Sequence, residues 1–87
     1  MAVAPIALIV EQLYAGDSYE KTVRRAHQFL KAGVPLVWFL DTQERAIMIY
    51  SQGRTPYLLE EDKELTGEDV LPDFRCRVAE FFALPGR

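Results

Sequence analysis

The sequence predicts an α/β fold of element order β-α-β-β-β-α, a βαβ crossover followed by an antiparallel hairpin. Three observations carry that prediction. Ile6–Leu13 is a continuous apolar run rich in β-branched residues. Residues 18–32 repeat their apolar positions at helical spacing between start and stop signals. Two further apolar runs, Leu36–Leu40 and Ala46–Tyr50, are separated only by a polar turn.

The first run reads as a buried strand, apolar on both faces until Glu11. Tyr14-Ala15-Gly16 breaks it. Asp17 is a good N-cap, and Glu20 three residues later completes the pattern of a capping box. The helix is expected from about Ser18 to Ala32. Tyr19, Val23, Ala26 and Leu30 make its apolar stripe, widened by Thr22 and Phe29. Lys21, Arg24, Gln28 and Lys31 fall on the opposite face, with Arg25 and His27 at the flanks. Gly33 is the natural residue after the C-cap, and Pro35 prevents continuation.

Leu36–Leu40 is then the second strand. Strand, helix and strand in that order fit a right-handed crossover, which makes the two strands parallel. Asp41–Arg45 is a short polar turn, so the third strand, Ala46–Tyr50, returns antiparallel. Thr55–Glu60 is a fourth strand, placed at an edge by Pro56. Residues 61–73 read as acidic loop. Val78, Phe81 and Phe82 mark a closing helix over Arg77–Ala83. One domain spans residues 1–87.

Length and composition limit what this domain can be. At 87 residues, 49% hydrophobic and 26% charged, it has a globular composition. A chain of this size buries only about 60–65% of the surface its unfolded form exposes. A single cysteine, Cys76, excludes an internal disulfide, and one Cys with one His (His27) excludes a zinc-type cluster. Association with another chain is the remaining source of stability. The net charge of −3 disfavours clamping on DNA by bulk electrostatics. The charge is uneven, however. Residues 17–33 carry net +2 and residues 60–73 net −6, so the basic segment either offsets the acidic one or meets phosphate. The apolar start is short, lacks a basic lead-in and ends at Glu11, so a membrane span and a signal peptide are not expected. A cytoplasmic protein with a free thiol is the expectation.

Ala32-Gly33-Val34-Pro35 followed by Leu36-Val37-Trp38-Phe39-Leu40-Asp41 resembles the helix–AGV–VWxVDP core of the Uma-two family of putative restriction endonucleases. Leu65-Thr66-Gly67-Glu68-Asp69-Val70-Leu71-Pro72-Asp73-Phe74 is similar to that family's LxGxDVLPGF segment. Val78-Ala79-Glu80-Phe81-Phe82 is similar to its closing VAELF helix. The resemblance implies a bacterial protein with a restriction-endonuclease-like core of the PD-(D/E)XK type. It implies a truncated core, because the chain corresponds to the C-terminal half of a usual family member. It further implies Mg²⁺-dependent DNA cleavage, with carboxylates holding the metal and a nearby Lys placing positive charge at the reaction centre.

The family's site motif, PDLxxEVxSP, falls on Ile6–Ala15. Glu11 stands at the motif glutamate, the one implied metal ligand. Ala7 stands at the aspartate, and Tyr14-Ala15 replace Ser-Pro. The family's Lys, carried on the helix four residues before an aromatic, falls on Arg25, with Phe29 four residues on and Lys21 one turn earlier. Glu11, Arg25 and Lys21 are therefore the candidate catalytic residues. Alanine cannot ligate metal, and Arg keeps the charge without the compact ammonium. Two functions remain open. One is a catalytically degenerate nuclease domain, binding no cofactor, that self-associates as a homodimer or binds a partner supplying the other half. The other is a Mg²⁺-dependent DNA endonuclease completed by a second chain. Glu11 also has a structural reading, as the residue where the strand leaves the core, paired with Arg25 or His27. Trp38 is expected in the core. Cys76 is expected to be an unreactive surface or half-buried thiol, although two arginine neighbours are of the kind that lowers a thiol pKa.

Overall fold

The computed structural model describes residues 6–14 and 16–83. The start of the apolar run at 2–5, and Ala15 of the breaking triplet, lie outside them. The order is β1 (Leu8–Gln12), α1 (Tyr19–Lys31), β2 (Leu36–Asp41), β3 (Ala46–Ser51), β4 (Tyr57–Leu59), β5 (Glu64–Gly67), β6 (Leu71–Arg77) and α2 (Val78–Phe82). The α/β class, the parallel β1–β2 crossover and the antiparallel β2–β3 hairpin are all as the sequence predicts.

The strands form a four-stranded sheet of order β1-β2-β3-β4 and a two-stranded β5-β6 hairpin. The central strands β2 and β3 are buried on both faces, which is why they read as continuous apolar runs. On one face Val37, Phe39 and Tyr50 pack against Ala26 of α1, joined by Phe29 and Leu30. On the other, Leu36, Trp38, Ile47 and Ile49 pack against Leu65 and Val78, joined by Phe74 and Phe81. Trp38 is core as expected, its ring tilted against Phe74 and edge-on to Phe81. The molecule is thus three layers, with α1, the large sheet, and the hairpin with α2.

Four expectations need correction. Residues 61–73 are not mostly loop, since β5 and the start of β6 lie there. The acids other than Glu68 face water while Leu65, Phe74 and Cys76 turn inward, an alternation that the acidic composition hides. The helix is capped by Ser18, whose Oγ accepts from Lys21 N at 3.1 Å. Asp17 instead accepts from Tyr14 N at 2.9 Å, so Asp17 and Glu20 form no capping box. Tyr19 leaves the apolar stripe and is 76% exposed. It overhangs a hollow of about 270 Å³ between the first turn of α1 and Met48, Tyr50 and Leu58 on the sheet. Thr22 and Ala26 are the buried helix positions. Finally, β1 is an edge strand rather than a buried one, with Val10 45% and Ile6 58% exposed.

One tie had no sequence signal. Gln52 Nε2, in the β3–β4 connection, donates to Leu30 O at 2.7 Å and Val34 O at 3.0 Å. It satisfies the Val34 carbonyl beyond the end of α1 and adds a second donor to the Leu30 carbonyl, which also accepts from Gly33 N at 3.0 Å. Gly33 follows the C-cap at φ +99°, a conformation that favours glycine.

Candidate active site

Strand alternation and the helical repeat bring the candidate residues together. Along β1, Ile9 and Leu13 turn toward α1 and pack in its cluster. Glu11 shares their parity and therefore points the same way. Arg25 sits on the flank of α1 that overlooks β1. The two side chains meet, Arg25 Nη1 donating to Glu11 Oε1 at 2.9 Å. Both are about one-third exposed, at 38% for Arg25 and 33% for Glu11. The partner foreseen for Glu11 is thus Arg25 and not His27, which is exposed on the helix.

Lys21 is not part of this pair. It lies one turn earlier, exposed, with no ion pair among the described residues. Ala7 directly precedes β1 and is also exposed. The pair itself therefore supplies one carboxylate and one guanidinium, and position 7 offers no ligand. Mg²⁺ requires near-octahedral oxygen ligation, usually from one or two carboxylates with water and substrate. A lone carboxylate already hydrogen-bonded to a guanidinium does not fit that demand. Among the described residues no three His, Cys, Asp or Glu side chains cluster in a metal-binding arrangement.

A second feature is a hollow of about 310 Å³ beyond the C-terminal ends of β1 and β2, bordered by Gln12, Tyr14, Asp17, Asp41 and Gln43. The crevice outside the carboxyl ends of parallel strands is the usual ligand position in open α/β sheets. It does not include Glu11 or Arg25. Asp41 is engaged locally, Oδ1 accepting from Glu44 N at 3.1 Å in the β2–β3 turn.

The resembling segment 65–74 is structural in its contacts. Glu68 holds φ +51° and its side chain is only 9% exposed. Tyr57 Oη donates to its Oε2 at 2.6 Å, and Arg54 Nη1 approaches its Oε1 at 3.4 Å. Burial, then the hydrogen bond to Glu68 and its charge, push the Tyr57 hydroxyl up to about 12. Tyr57 and Glu68 were not singled out from sequence, and the LxGxDV resemblance was the only signal pointing there.

Known proteins agree with this architecture. The family model described as putative restriction endonuclease matches residues 2–79. The crystal structure of a putative nuclease from Anabaena variabilis ATCC 29413 superimposes with a TM-score of 0.75 at 20% identity. The match covers 90% of this chain and 45% of that one, so this chain spans less than half its length. At that identity the likeness establishes the shared fold. No curated protein matches the chain.

Proposed function

Since the chain belongs to the Uma-two family of putative restriction endonucleases, we propose that it is a catalytically silent nuclease-fold domain that acts by joining another chain. The carrying observation is the Glu11–Arg25 pair at 2.9 Å, with alanine rather than a carboxylate at position 7. Where the family places two carboxylates and a lysine, this chain has one carboxylate, neutralised by its neighbour. A metal-activated water needs a cation held by carboxylate oxygens, and Arg25 already engages an oxygen of the motif carboxylate, Glu11. The free edge of β1 supports the joining role. Among the described residues its outer backbone groups lack a neighbour in the sheet order, and Ile6 and Val10 are apolar and exposed beside them. A second copy is the first candidate for the joining chain.

The competing reading is a Mg²⁺-dependent endonuclease completed by a second chain. It draws on the convergence of Glu11 and Arg25, both partly open to solvent. Plasmid cleavage with Mg²⁺ or Mn²⁺ separates the two. The expected result is intact plasmid with the natural sequence, and no change on Glu11→Gln. Cleavage that disappears in Glu11→Gln establishes the endonuclease instead. Ala7→Asp combined with Arg25→Lys restores the family's residue types. Calorimetric titration with Mn²⁺ should then detect binding to this variant and none to the natural chain.

A further inference from the structure

The sheet face that packs on α1 is not covered to its edge. By register Phe39 lies beside Met48, and Met48 beside Leu58, so the three make one apolar row across β2, β3 and β4. Phe39 is fully buried, Met48 half-buried and Leu58 51% exposed. Tyr19 overhangs the hollow of about 270 Å³ that this row lines. Tyr50 lines it too. It is only 2% exposed, its ring edge-on to Phe39 with centroids 5.7 Å apart. Its hydroxyl nevertheless has no hydrogen-bond partner among the described residues, whereas Tyr57 gives its own to Glu68. A tyrosine hydroxyl at such burial ordinarily has a partner. Burial, and then the charge of Tyr19, raise its pKa, so it stays protonated and neutral at ordinary pH.

The border of this hollow is acidic. Asp17 and Asp41 line it, and both also line the hollow of about 310 Å³ beyond the ends of β1 and β2. Asp17 Oδ2 accepts from Tyr14 N and Asp41 Oδ1 from Glu44 N. The second oxygen of each carboxylate has no partner among the described residues, and neither acid is in an ion pair. No Lys, Arg or His borders either hollow. Two unopposed carboxylates beside apolar walls focus a negative potential that attracts cations. Aromatic rings in the lining add to that attraction. A metal ion would leave the apolar row unused, and an anion would be repelled. The volume lies just below the usual range of small-molecule sites, about 300–1,000 Å³, so the occupant is small. We propose that this hollow binds a small organic ammonium ion with an aromatic body. The body lies on Phe39, Met48 and Leu58 beneath Tyr19, the charge meets Asp17 and Asp41, and the Tyr50 hydroxyl supplies a further hydrogen bond. Neither Glu11 nor Arg25 takes part, and the test contains no divalent cation, so this proposal and the silent-domain reading can fail separately.

The test is titration of the protein with phenethylammonium chloride in an amine-free phosphate buffer, followed by amide chemical shifts. Saturable shifts are expected at Asp17, Tyr19, Asp41 and Leu58, with half-saturation below about 10 mM. The neutral analogue 2-phenylethanol should bind at least about tenfold more weakly, because it lacks the charge that meets the carboxylates. n-Butylammonium, which stands in for a lysine side chain of a partner protein, should bind at least about threefold more weakly, because it lacks the aromatic body. Asp17→Asn and Asp41→Asn keep an oxygen for Tyr14 N and Glu44 N, and each should cost about three- to tenfold in affinity. Tyr50→Phe keeps the buried ring and should cost about two- to fivefold. Asp73→Asn removes an equal charge from β6 and should bind within about twofold of the natural chain. Unchanged amide spectra away from each substituted position establish that the variants are folded. The proposal is overturned by absence of saturable shifts, or by shifts centred outside the hollow. Equal affinity for 2-phenylethanol, equal affinity for n-butylammonium, or equal loss in Asp73→Asn and the two hollow variants also overturns it.

Discussion

Cys76 is flanked in sequence by Arg75 and Arg77, yet its thiol is pushed up, first by burial and then by the charges of Glu80 and Glu64. The reason is strand geometry. Successive side chains on β6 point to opposite faces, so the arginines that adjoin Cys76 in sequence face away from it. Gly67 makes a similar point about backbone. Its φ is not unusual, but an added Cβ would lie 2.4 Å from both Cβ and O of Leu71. The register shift at Thr66/Gly67 brings Leu71 across from it, and the neighbouring Glu68 completes the turn at φ +51°. Gly67→Ala therefore forces backbone apart, and it should cost about 2 kcal/mol or more, read as a lower urea midpoint at unchanged slope. The glycine is visible in the resembling motif. Its steric reason is not, because Leu71 approaches only once the hairpin has formed.

At the scale of elements, α1 and β2 were legible because each obeys a local rule. The helix has apolar spacing and a glycine stop, and the strand is apolar throughout because it is covered on both sides. β5 and β6 were not legible. Their inward positions are few, and Leu65 reaches complete burial only against the large sheet. β1 was half legible. Its composition matches a central strand, but its place in the order is an edge. An edge of that composition lacks the lysines and prolines that ordinarily prevent strand-to-strand association. Light scattering at micromolar concentration is expected to give twice the 10.0 kDa chain mass. Val10→Lys places a charge on the exposed face of the edge and should return the mass to that of one chain. A monomer in both proteins would remove the joining role from β1.

The whole molecule depends on how the hairpin layer is tied to the large sheet. Besides the apolar cluster around Trp38, three polar links among the described residues span the layers, one of them the Arg54–Glu68 pair at 3.4 Å. Arg45 Nε donates to Glu61 Oε2 at 2.7 Å, and its guanidinium lies 5.8 Å from the Phe82 ring centroid. Tyr57 on β4 holds Glu68 beyond β5. The latter link has a pH signature. The unfolded chain releases the tyrosine proton near 10, whereas the folded protein keeps it to about 12. Stability from this group is fully present below pH 10 and falls as pH rises from 10 to about 12, because unfolding then releases a proton. The melting temperature should drop across that window, and Tyr57→Phe should reduce the drop. An identical alkaline profile in Tyr57→Phe would show that the link contributes nothing.

By itself the sequence determined the fold class, the crossover, the hairpin and the family, because these follow from local periodicity and from motifs in fixed order. The expectation that Ala7, Glu11 and Arg25 stand at the family's site positions rests on the resemblance of the motif alone. Tertiary structure alone decided that Arg25 reaches Glu11, that Tyr19 overhangs a hollow instead of joining the core, and that an acidic segment supplies half of the second layer. It also decided which cations stay unpaired. Periodicity reports which way a side chain points, whereas pairing and burial depend on what the chain brings opposite it from residues distant in sequence.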